Sequence, residues 1–140
     1  MASPLMPRRA LVLLCPVAAL ALSACGTNVS TSAFKGEEHA VAQTLANLQT
    51  HATANEQGKI CGSDLSAKVV EELKGKSGCE AAIKTQLGEI ENLELSVQSI
   101  SIAADKKTAT AHVRSRFRNK EKTSTLALVK EGSSWKVSGL

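Results

Sequence analysis

Four cysteines and three histidines are the side chains of this 140-residue chain with the most chemistry to offer. Cys25 follows Leu22, Ser23 and Ala24 at the end of an apolar run. A thiol behind small neighbours can act as a nucleophile toward a diacylglyceryl donor, and the small residues let a peptidase grip the backbone and cut just before it. Cys15 is the rival thiol, but Leu14 before it is too large and Pro16 after it is unsuitable. Cys61 and Cys79 then remain. With no CxxC spacing and no nearby histidine they make a poor metal or redox pair, and a structural disulfide is expected. His51 stands three residues after Leu48, at the border of an apolar helical face. Turned into a pocket it could act as a base, with burial tuning its pKa; as a boundary residue it would do no chemistry. His39 is expected in the first turn of the same helix, in solvent. His112 shares one face of a period-two segment with Thr110, Arg114, Arg116 and Arg118, a basic row along about 25 Å of strand. Such a row could contact anionic lipid headgroups, an acidic envelope polymer or a protein partner, or it could be a solvated face balanced by nearby Glu. Glu71, Glu72, Glu89, Glu91 and Glu94 show no paired-acid pattern, and no serine or threonine sits in a nucleophile elbow. No catalytic residue, metal site or cofactor is assigned.

The segment before Cys25 says where this chemistry takes place. Arg8 and Arg9 precede an apolar run over 10–22, well short of the ~20 residues that a helix needs to cross a bilayer. A basic start, a short apolar stretch and small residues together describe an export signal. Leu22-Ser23-Ala24-Cys25 resembles a bacterial lipobox. The resemblance implies a signal peptide over 1–24, a lipidated Cys25 carrying diacylglyceryl and acyl (palmitate) chains, and a protein held on the extracytoplasmic face of the cell membrane. An ordinary signal cut near Ala24, leaving a free thiol and a secreted protein, is the alternative. Residues 26–36, GTNVSTSAFKG, are small and polar and read as a flexible tether, so the domain proper spans 37–140.

Composition narrows the function classes. The formal charge of +4 includes Arg8 and Arg9, so the exported part is only mildly basic, which gives no case for nucleic acid. Pro4, Pro7 and Pro16 are all in the signal, tyrosine is absent, and the aromatics are Phe34, Phe117 and Trp135. The length left after the signal suits one small domain with a modest core, to which a disulfide could add ~3 kcal/mol.

The elements that must position these residues follow from periodicity. Val41, Leu45, Leu48 and Ala52 recur at helical spacing and predict a first helix from Glu37 that ends before Gly58. A second helix is expected after Ser63, with Leu65, Val69 and Leu73 on one face and a stop at Gly75. Ser77 and Glu80 form an S-x-x-E capping box for a third helix through Ala82, Ile83 and Leu87. Beyond Glu91 the period becomes two. Leu93, Leu95 and Val97 alternate, then parity slips to Ile100 and Ile102, the mark of a β-bulge near Gln98-Ser99. AADKKT turns into a strand over 108–118, RNKEK turns into 123–130, and KEGSS turns into a last strand from Trp135. The predicted class is α+β: N-terminal helices packed on a curved four-stranded antiparallel meander.

That order, with the closing stretch LALVKEGSSWKVSGL, resembles the nuclear transport factor 2-like superfamily. The similarity is greatest to small actinobacterial lipoproteins that carry a lipobox and cysteines before the second and third helices, here KICGSDLS and SGCEAAI. A cystatin-like helix-on-sheet domain is the nearest structural alternative. The resemblance implies a cone-shaped domain over roughly 37–140 whose mouth can hold a small ligand. Some members are isomerases, dehydratases or cyclases that use an acid or base inside the cone, often beside a tyrosine hydroxyl. This chain has no tyrosine. The function expected is therefore a membrane-anchored binding or interaction module, the alternative being a small-molecule enzyme with His51 or a Glu as base.

Overall fold

A computed structural model describes residues 29–90 and 93–139. The segment read as a signal, Cys25 and Glu91 lie outside the described residues. Helix α1 spans Gly36–Thr53. Its apolar stripe buries Val41, Ala42 and Leu45 completely, and Asn55, with φ +56°, turns the chain away after its end. A short helix α2, Gln57–Lys59, runs on into a π-helical turn over Ile60–Asp64. Helices α3, Ala67–Lys74, and α4, Cys79–Gly88, complete the helical half.

Two helix starts differ from expectation, each for a local reason. Leu65 does not begin α3, because it forms an isolated parallel bridge with Val137. Ser66 is the cap instead, its Oγ accepting the Val69 N–H while its own N–H donates to the Val137 carbonyl at 2.8 Å. The Ser77–Glu80 capping box does not form. Gly78, at φ +87°, precedes Cys79 without a side-chain cap, and the Glu80 carboxylate leans on Gly58.

The second half is a four-stranded antiparallel sheet in the order β1-β2-β3-β4, with β1 at Glu94–Ile102, β2 at Thr108–Phe117, β3 at Lys120–Glu131 and β4 at Ser134–Gly139. The register slips between Val97 and Ser99, at the expected bulge, and again between Ala127 and Leu128. Asp105 shapes the first hairpin by accepting the Lys107 and Thr108 N–H groups. The second hairpin is tighter than its charged sequence suggests. Arg118 and Asn119 both have positive φ and close a two-residue loop, so β3 begins at Lys120 and not at 123.

Helix α1 lies across the inner face of the sheet. Val41 and Leu45 pack with Ala109, Ala111, Val113, Leu126, Leu128, Trp135 and Val137 in the main core. A second cluster, Ala52, Ile60, Cys79 and Ile83, joins the helices to one another, and Leu48 and Leu65 touch both clusters. Cys61 and Cys79 are disulfide-bonded and clip the π-helical turn to the start of α4. Two polar pins fix the course of α1. Glu37 accepts from Lys130 Nζ and Trp135 Nε1, each at 2.7 Å, while Gln49 Oε1 accepts the Leu95 N–H at 3.3 Å. Among the described residues the architecture is α+β, with four α-helices, the π-helical turn and one antiparallel sheet.

Candidate functional site

Between the sheet and helices α3 and α4 lies a cavity of about 350 Å³. Inward residues of all four strands reach it because side chains alternate across a sheet. Leu95, Val113, Leu126 and Val137 supply the sheet wall, and Leu73, Leu87 and Ile90 part of the helical wall. Among its lining residues only Gln86, Ser115 and Ser124 carry polar side chains. Several of the apolar residues, Leu73, Leu87, Ile90, Leu93 and Leu95 among them, are only half-buried, so the cavity opens to the outside. Its strand residues come from the start of β1, the end of β2, the first half of β3 and the end of β4. The opening is thus at the end of the sheet where the β2–β3 hairpin projects.

His51 does not line this cavity. It faces a separate groove of about 640 Å³ between α1, the π-helical turn and β4, which Asn47, Lys59, Trp135 and Lys136 also line. There its Nδ1 meets Asp64 Oδ2 at 2.7 Å. Asp64 is 3% exposed. Burial pushes its carboxyl above the usual aspartate range, against the lowering effects of the His51 hydrogen bond and the His51 and Lys136 charges. Lys136 Nζ donates to the Ser63 carbonyl beside them. A His–Asp pair of this kind orients an imidazole and leaves Nε2 for other partners. Thr44, a hydroxyl on the α1 wall of the groove, donates to the Ala40 and Trp135 carbonyls. Sequence reasoning missed Asp64 as a partner, since it stands 13 residues away on a different turn with no spacing signal.

The basic row divides at the end of its strand. His112, Arg114 and Arg116 alternate with buried Ala111 and Val113 and are exposed on the outer face. Arg118 leaves the row for the turn, where its guanidinium lies 5.7 Å from the Phe117 ring centroid. His112 Nδ1 pairs with Thr125 Oγ1 at 3.0 Å. Glu121 accepts from Arg114 at 2.9 Å and approaches Arg116 at 3.5 Å, so part of the row's charge is balanced by β3. His39 lies exposed near the start of α1, its Nδ1 3.1 Å from the Thr31 carbonyl. From the segment read as a tether, Val29 is buried, and Ser30 shares a shallow depression with Glu94, Ser96, Arg114, Arg116 and Glu121. No group of three or more His, Cys, Asp or Glu among the described residues is placed to hold a metal ion, and no described helix is long and apolar enough to cross a membrane.

No protein-family model matches the chain, and comparison with curated proteins finds no significant match.

Proposed function

We propose that the protein is a lipid-anchored, extracytoplasmic binding module of the nuclear transport factor 2-like kind, whose cavity receives an apolar small molecule or acyl chain. The wall of that cavity carries the reading: leucine, isoleucine and valine from the sheet and from three helices surround it, and among the described residues no ionisable side chain lines it. A pocket so lined gains affinity by removing apolar ligand surface from water, at ~25 cal/mol per Å² before ordering costs, and offers nothing to move a proton. Titration with a fluorescent medium-chain fatty acid tests this. The wild-type protein should bind the probe saturably. Ser124→Phe, which places a ring into the cavity from a half-buried strand position, should weaken binding at least about tenfold, since a blocked apolar site forfeits more than 1.4 kcal/mol. Equal binding by both proteins, or none by the wild type, would count against the reading.

A second reading draws on the His51–Asp64 pair. An isomerase, dehydratase or cyclase using His51 as base would take its substrate in the groove between α1 and β4, not in the apolar cavity. The oriented imidazole favours it, and the lack of an acid other than Asp64 among the described groove residues weighs against it.

A further inference from the structure

The β2–β3 hairpin is the most lopsided part of the molecule in charge. Arg114, Arg116, Arg118, Lys120 and Lys122 face a single acid within the hairpin, Glu121, which Arg114 and Arg116 already share. Glu94 on β1 stands opposite Arg116. Arg118, Lys120 and Lys122 make no salt bridge among the described residues, and all three are exposed. Phe117, half-buried, adds an aromatic ring at the tip. The hairpin also stands clear of its neighbour. The last pair between β3 and β4 is Ala127 with Gly139, so the stretch 120–126 has no strand on that side.

A second observation, independent of charge, places this hairpin relative to the chain's N-terminal end. Val29 is buried, and Ser30 lies in one depression with Arg114, Arg116 and Glu121. The described chain therefore begins beside the root of the hairpin. From Cys25 to Val29 an extended chain spans at most about 14 Å at ~3.5 Å per residue. From Arg114 to the tip at Arg118 the strand covers about 13 Å at ~3.3 Å per residue. Leash and hairpin are of matching length.

We propose that the β2–β3 hairpin docks on anionic lipid headgroups of the leaflet that holds Cys25, turning the mouth of the apolar cavity toward the bilayer. This rests on the lipid-anchor reading. A lipid on Cys25 keeps Val29 within the leash length of the headgroups, which brings the hairpin cations near a Debye length, ~8 Å, of the surface. Lys106 and Lys107 at the other end of β2 stand about 30 Å further along the strand and lie outside that field. They also have Asp105 beside them, which accepts the Lys107 N–H. Lys122 and Phe117 share the inner face with cavity residues Ser115 and Ser124, because Ser115 pairs with Lys122 and Val113 with Ser124. A docked hairpin thus presents the open end of the cavity to the acyl region it would draw from.

The test uses the full chain, processed in cells and reconstituted into vesicles of phosphatidylcholine alone or with phosphatidylglycerol. Hydrogen exchange is followed at the amides of 116–122, and intact mass reports the lipid on Cys25. The expected result is protection of the hairpin only in the anionic vesicles, lost at high salt, with the 103–107 turn unchanged. Arg118→Gln, Lys120→Gln and Lys122→Gln together should lower the docking equilibrium constant about a hundredfold, three charges acting near an anionic surface. Because these side chains carry no ion pair among the described residues, the fold should stand, which far-UV circular dichroism checks. Equal exchange in both vesicles with Cys25 lipidated overturns the docking and leaves the anchor. An unmodified Cys25 overturns the anchor and, with it, the docking. Protection by soluble polyglutamate but not by vesicles would assign the hairpin to an acidic polymer and overturn the membrane partner.

Discussion

At the scale of single residues, the described molecule spends its buried charge on one pair. Asp64 is held against His51 with its carboxyl raised above the ordinary range, chiefly by burial. The native state therefore binds this proton more readily than the unfolded chain, and stability must fall as pH rises from the unfolded aspartate value toward the native one. Asp64→Asn keeps an acceptor for the imidazole and removes the charge. Denaturant titrations at pH 4, 5, 6 and 7 should show the variant losing less stability over that rise than the wild type. Parallel curves would mean that the carboxyl is not strained. Glu37 behaves oppositely. Lys130 and then Trp135 hold its carboxyl below the usual glutamate range, so its contribution is present at neutral pH and fades as acid titrates it. Little of this was legible in the sequence. Asp64 reads as a helix start, and His51 as a boundary residue, until the π-helical turn brings them together.

Local pattern carried most of the information at the scale of elements, and it failed where a partner distant in sequence intervened. The parity slip near Gln98 marks the bulge because period two is a property of the strand alone. The start of α3 is different: Leu65 fits a helical stripe, but Val137 claims it as a bridge, and no local rule shows that. The unused Ser77–Glu80 box teaches the same lesson, with Glu80 turned toward Gly58 instead. The cavity was not legible in local pattern, since its wall is assembled from all four strands and three helices. The disulfide followed from cysteine number and the expected export, and it adds a covalent tie between two elements that also share the apolar cluster of Ile60 and Ile83. The start of α3 is tied to the sheet through Leu65 and Ser66 at Val137, and the Cys61–Cys79 bond closes the loop around the helix. Replacing both cysteines by serine should cost ~3 kcal/mol in a chain-entropy account, read as a lower midpoint in thermal unfolding. An unchanged midpoint would make the bond dispensable.

For the whole molecule, the decisive question is where it sits. Cys25→Ser should leave an uncut precursor or release the domain, whereas the wild-type protein should fractionate with membranes as a mature form. A mature, membrane-bound Cys25→Ser protein would place the anchor elsewhere. The fold distributes its tasks along the sheet: chain entry, basic hairpin and cavity mouth at one end, and the Glu37, Lys130 and Trp135 cluster at the other. That last arrangement has an optical meaning. Trp135 is the chain's only tryptophan, and there is no tyrosine to share the signal. Its indole is 3% exposed, bonded to the first turn of α1 and overhung by the Lys130 ammonium at 5.8 Å. Intrinsic emission therefore reports the surroundings of this one side chain, where the α1 N-terminus seats on the sheet core at the end remote from the cavity mouth. A shift to longer wavelength marks the release of that helix, and quenching by acrylamide dates it.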